Sequence, residues 1–188
     1  MEGETKALIE LQKITNFIYC GVSEQIQKEM IEFCKKKLLE NESEKVASYL
    51  NYILGNLYNG MQLTNNNNCE IPYNFFKLSS DAGNSYGQYS LGRMYDYGLF
   101  VPADHTEAEK LMRLSLSQNN FLAQYYLGSA FPNNYDFLSL SAKQGYGEAK
   151  KKIKEMICGG MFPTEYNEIK MGGMTEFIID DLIEKSFS

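Results

Sequence analysis

Apolar residues recur at helical spacing from the start of the chain. Leu8, Leu11, Ile14 and Ile18 lie three or four apart, and so, nearly, do Ile26, Met30, Phe33 and Leu38, so the first forty residues predict two amphipathic helices broken at Gly21. Near the other end Phe177, Ile178, Leu182 and Ile183 stand beside Asp180, Asp181 and Glu184, which predicts a closing helix, with a shorter one near 163–170. Between these ends the apolar segments are short and punctuated by glycine. One of them, "GQYSLGRMYDYG" (87–98), is helical in pattern yet holds Gly92 at its centre. A glycine there costs about 1 kcal/mol against alanine, so its presence asks for a reason.

That reason begins with a repeat. Leu-Gly occurs at 54–55, 91–92 and 127–128, and a tyrosine precedes each leucine by two residues (Tyr52, Tyr89, Tyr125). A second set of segments aligns without gaps: "NFFKLSSDAGNSYGQ" (74–88), "KLMRLSLSQNNFLAQ" (110–124) and "DFLSLSAKQGYGEAK" (136–150). The third unit lacks the ten residues "DYGLFVPADH" found in the second and joins its helices through "PNN" (132–134). A fourth first helix follows at 147–160, with Ile153-Lys154 in the Leu-Gly position. Glycine one residue after a core leucine suits a close helix crossing.

The ends of the segments carry helix-boundary signals. Thr106-x-x-Glu109 reads as a capping box, and Asn41-x-x-Glu44 as another. Gly60, Gly98 and Gly159-Gly160 are placed to end helices in a left-handed conformation. The tract 65–68, all asparagine, reads as a polar loop.

The stretch "FFKLSSDAGNSYGQYSLGRMYDYGLFVPADHTEAEKLMRLS" (75–115) resembles the Sel1-like repeat, a relative of the tetratricopeptide repeat. Its marks are the paired aromatic start, Ala-Gly-Asn, Gln-Tyr-x-Leu-Gly-x-Met-Tyr, then Gly, Val-Pro and Asp before the next helix. Weaker copies extend over 46–160, giving about three and a half units between an N-terminal helical cap (1–45) and a C-terminal capping region (161–188). The resemblance implies an all-α fold: antiparallel helix pairs stacked into a right-handed α-solenoid. Stacking also follows from physics, because one helix pair cannot bury its apolar stripe alone.

Composition narrows the function. A net charge of −6 argues against a nucleic-acid surface, which needs a basic face. The runs 35–37 and 150–152, all lysine, sit beside acids in helical patterns and read as solvated faces. No run of 18 apolar residues predicts a membrane span, and the acidic N-terminus does not read as a secretory signal. Cys20, Cys34, Cys69 and Cys158 have no paired spacing, so they read as reduced thiols in a cytoplasmic protein.

Chemistry for catalysis is thin. The single histidine, His105, falls in a linker just before a helix, and Asp96, Asp104 and Glu107 around it read as capping and surface charge. No hydrolase, phosphate-binding, calcium or paired-cysteine motif occurs, so no catalytic residue, cofactor or metal ligand is assigned. Binding remains. In such scaffolds the first helices line a concave groove, and residues at i, i+4 and i+7 share a face. That gives the stripes Tyr52, Asn56 and Asn59, then Tyr89, Arg93 and Asp96, then Tyr125 and Ser129. The tyrosines either face the groove or pack between units, leaving Asn56, Arg93 and Ser129 exposed. The expected function is a non-enzymatic adaptor that holds a protein or peptide partner. The alternatives are a cell-wall or β-lactam-related activity, as in cysteine-rich relatives, and a structural module that pairs into a homodimer.

Overall fold

The computed structural model describes residues 23–40, 42–62, 69–130 and 135–159, and the side chains of 61, 62, 157 and 158 stand outside that description. Several expectations fall beyond it: the first N-terminal helix, Cys20, the Asn41 cap, the 65–68 loop, the "PNN" turn, Gly160 and the closing helix. Among the described residues there are eight helices and no strands. They are α1 (Glu24–Leu39), α2 (Glu44–Gln62), α3 (Glu70–Asp81), α4 (Ser85–Tyr97), α5 (His105–Ser117), α6 (Phe121–Ala130), α7 (Tyr135–Lys143) and α8 (Gly147–Cys158). The chain divides into two compact units, Met1–Gln118 and Asn119–Ser188.

In the first unit each helix packs on its successor from α1 to α5, and α2 also touches α4. The core is built on α2, where Leu50, Tyr52, Ile53, Leu54 and Leu57 are essentially inaccessible to solvent. The Tyr52 ring sits 5.2 Å from the Tyr86 ring of α4 and 6.3 Å from Phe76 of α3, so aromatic contact joins three helices. In the second unit α7 packs on both α6 and α8. Leu138, Ala142, Ala149, Ile153 and Met156 form its core, and Tyr125, Tyr135 and Tyr146 cover it.

One polar contact recurs at equivalent positions of three helix pairs. Ser79 Oγ donates to the Ser48 carbonyl at 2.8 Å, Ser115 Oγ to the Ser85 carbonyl at 2.7 Å, and Ser141 Oγ to the Phe121 carbonyl at 2.8 Å. Each ties a second helix to the N-terminal part of the helix before it. Ser79, Ser115 and Ser141 are fully buried, where a hydroxyl left without a partner costs free energy. Glutamines add a second recurrence. Gln118 Nε2 donates to the Gly83 carbonyl (3.0 Å) and Gln88 Oε1 (2.9 Å), and Gln144 Nε2 to the Asn119 carbonyl (3.1 Å) and Gln124 Oε1 (2.9 Å).

The turns from second helix to next first helix are also alike. Each has three residues, and the middle one is left-handed: Gly83 at φ 77°, Asn119 at φ 59° and Gly145 at φ 89°. Glycine and asparagine are the residues that adopt this region with least strain. At Gly83 the Asn84 N–H returns to the Ser79 carbonyl and the Gly83 N–H to the Ser80 carbonyl, and the same pair recurs from Tyr146 to Ser141 and from Gly145 to Ala142.

Three local expectations need correction. The α5 cap is Asp104, whose Oδ1 accepts from the Thr106 and Glu107 N–H groups at 3.0 Å each, and Glu109 instead pairs with Arg113. A carboxylate at the cap also meets the positive end of the helix, which favours it over Thr106. Gly60 does not end a helix, since α2 continues to Gln62. The buried face of α1 is Ile31 and Cys34, whereas Ile26 and Phe33 are 40% and 49% exposed. Apart from these three, the Val46 N–H near the start of α2 donates to Ser43 Oγ at 3.3 Å.

Candidate functional site

Gly92 explains how close α4 and α5 lie. A Cβ there would meet the Ala108 carbonyl oxygen, Leu111 Cβ and Met112 Cε, all at 3.3 Å. Its counterpart Gly55 faces the Phe76 ring so closely that any Cβ would collide with it. Both glycines therefore let second helices press against first helices, and the opposite face of α4 is turned towards α2.

Between α2 and α4 lies a cleft of about 150 Å³, lined by Asn56, Asn59, Phe76, Tyr89, Ser90, Arg93, Met94 and Leu99. Phe76 and Met94 supply buried apolar surface, and Leu99 stands at the edge, 40% exposed. Asn56 Nδ2 donates to the Tyr52 carbonyl at 3.0 Å, which leaves its Oδ1 to accept. Arg93, exposed on α4, has its guanidinium carbon 6.0 Å from the Tyr89 ring centre and 5.4 Å from that of Tyr97. Two aromatic rings thus hold a cation at the mouth of the cleft.

The C-terminal end of α4 places Leu99. Gly98 takes φ 64°, its N–H bonds to the Met94 carbonyl, and the Leu99 N–H returns to the same carbonyl at 2.8 Å. Helices that end this way fold the next apolar side chain back on their last turn, which puts Leu99 beside Met94 in the cleft wall. Phe100 follows at φ 70°, unusual for a bulky residue, with its ring 5.2 Å from Tyr73. Tyr73 in turn lies 3.1 Å from Tyr95, hydroxyl to hydroxyl. That hydrogen bond first, then partial burial, pushes the Tyr95 hydroxyl up to about 12. His105 Nδ1 lies 3.0 Å from Asp96 Oδ1, joining the end of α4 to the start of α5; its side chain is 79% exposed.

Of the residues the sequence singled out, the structure gathers Asn56, Asn59, Tyr89 and Arg93 around one cleft. Tyr52 lies beneath it with no exposed surface, so its role is to pack α2 against α3 and α4. Tyr89 is buried as well and contributes an edge to the wall. Asp96 is half-buried against His105 and is not part of the lining. Tyr125 and Ser129 belong to the second unit, where Tyr125 meets Tyr146 edge-on at 5.1 Å and Ser129 is exposed.

Phe76, Ser90, Met94 and Leu99 were not foreseen. Ser90 lies three before Arg93 and four before Met94 on α4, so helical spacing followed in two steps would have reached both. Leu99 was marked by following the end glycine.

The remaining titratable groups offer less. Burial pushes the Cys34 thiol up to about 12, so it behaves as a small apolar residue, and Cys69 is half-buried with a free thiol. Among the described residues no helix is long and apolar enough to cross a membrane. No protein-family model and no curated protein matches the chain.

Proposed function

We propose that this protein is a non-enzymatic adaptor, a cytoplasmic right-handed α-solenoid of Sel1-like repeats that holds a segment of a partner protein in the cleft between α2 and α4. The observation that carries the reading is the cleft lining. Asn56 and Asn59 from one first helix and Tyr89 and Arg93 from the next, predicted as neighbours from the repeat alone, surround one depression with an apolar floor. Recurrent serine and glutamine contacts within successive helix pairs support a repeat scaffold. A lining of two amides, one arginine, a tyrosine, a serine and apolar carbon combines an apolar floor with a few polar groups, which suits recognition.

The test is affinity capture from cell extract with wild type and Arg93→Glu, compared by quantitative mass spectrometry. Arg93 is exposed, so the variant should keep the wild-type melting temperature and lose a defined subset of captured proteins. Identical capture profiles from two equally folded proteins would remove the cleft from consideration.

A further inference from the structure

Helix α1 carries two apolar stripes. Ile31 and Cys34 make the buried one, and α1 packs on α2. Ile26, Met30 and Phe33 make the other, turned from the first by about 100° around the helix. Met30 is half-buried, but Ile26 and Phe33 keep 40% and 49% of their surface exposed. Polar side chains fill the remaining arc, where Lys28 pairs with Glu24 and Lys35 with Glu32. A helix with two apolar stripes suits two neighbours, as α3 has in α2 and α4.

The chain just before α1 matches this outer stripe position by position. Ile26, Met30 and Phe33 stand 4, 8 and 11 residues after Val22, and Ile18, Ile14 and Leu11 stand 4, 8 and 11 residues before it. Segment 5–20, which apolar spacing predicts as a helix, is as long as α1, at 16 residues. Ser23 is extended, at φ −62° and ψ 152°, and its side chain caps α1 by accepting from the Ile26 N–H. Residues 21–23 are then left for a reversal as long as the three-residue turns that lead into α4, α6 and α8, and Gly21 suits the end of a helix.

We infer that segment 5–20 occupies the outer face of α1, paired with it antiparallel as a helical hairpin within one chain. Both helices rise about 1.5 Å per residue, so equal offsets from the turn come face to face. Ile18 meets Ile26, Ile14 meets Met30 and Leu11 meets Phe33. The tether favours this occupant over a separate molecule, because a linker this short holds the segment at an effective concentration on the order of millimolar. The gain is removal of isoleucine and phenylalanine surface from water.

The test measures urea midpoints of the full chain. Leu11→Gln and Phe33→Gln should each lower the midpoint by about 0.5 M, the effect of losing one partly buried apolar contact. The double variant should lose no more than either single, because the two side chains share one contact. Register is read with opposite charges. Leu11→Glu and Phe33→Lys, each destabilising alone, should recover part of the loss together, whereas Leu11→Glu with Ile26→Lys, about two turns away, should recover none. Single variants with an unchanged midpoint overturn the inference and leave the face to solvent or to another protein. Losses that add, or two charge pairs that behave alike, overturn it as well. The coupling should not depend on protein concentration. Coupling lost on dilution, with a dimer in sedimentation equilibrium, assigns the face to a second copy and overturns the hairpin.

Discussion

At the scale of single residues, small side chains decide how closely the helices approach. Gly92 was recognisable from the sequence as one of three equivalents after a core leucine, and the 3.3 Å clearances around its missing Cβ give the physical cause. Gly92→Val is expected to destabilise the protein by about 2 kcal/mol or more in urea denaturation, because the added Cβ already meets the Ala108 carbonyl at 3.3 Å and brings two methyls with it. An unchanged midpoint would refute the account. The tyrosines were less legible. Tyr52, Tyr89 and Tyr125 hold the same place in the repeat, yet Tyr52 is wholly buried and Tyr125 only half so. Its neighbours Phe76 and Tyr86 enclose Tyr52, and such enclosure depends on residues distant in sequence. Tyr95 gives a second test. Its hydroxyl stays protonated to about 12 in the folded chain, against about 10 when unfolded. Its contribution to stability is therefore complete below pH 10 and is lost as pH rises through about 12. In ultraviolet titration Tyr73→Phe should have one late-ionising tyrosine fewer than wild type.

At the scale of elements, helix existence was easy to read and helix faces and caps were harder. The described helices fall where apolar spacing or the repeat placed them, but on α1 the pattern of Ile26 and Phe33 promised the wrong face. Several apolar residues were available on more than one side of that helix, and contact with α2 selected Ile31 and Cys34. The α5 start offered Asp104 and Thr106 two residues apart, both competent caps by type. Only the backbone geometry shows that Asp104 serves both the Thr106 and the Glu107 N–H groups. Asp104→Ala should cost about 1 kcal/mol of stability, whereas Thr106→Ala should cost under about 0.5 kcal/mol. Equal losses in thermal denaturation would reinstate the threonine.

At the scale of the whole molecule, periodicity carries more information than any one segment. The candidate cleft was partly legible because its residues repeat on successive first helices, and its floor was missed because Phe76 and Leu99 come from other elements. The two kinds of connection differ sharply in what they fix. Turns leading from a second helix to the next first helix have three residues each, with a left-handed middle residue. The connection inside the α4–α5 pair runs over seven residues, from Gly98 to Asp104. One residue added between Asp81 and Ser85 would break the left-handed turn at Gly83 with its hydrogen bonds to the Ser79 and Ser80 carbonyls, and would shift α4 out of register with the Tyr52–Tyr86 contact. Such an insertion should abolish cooperative unfolding. A short glycine-serine insert after Ala103 should leave the circular dichroism spectrum and the melting temperature nearly unchanged. In the first unit the turn at Gly83 therefore fixes length, whereas the 98–104 connection, beside the cleft, is open to new sequence, and a loop grafted there could lend the protein a second specificity.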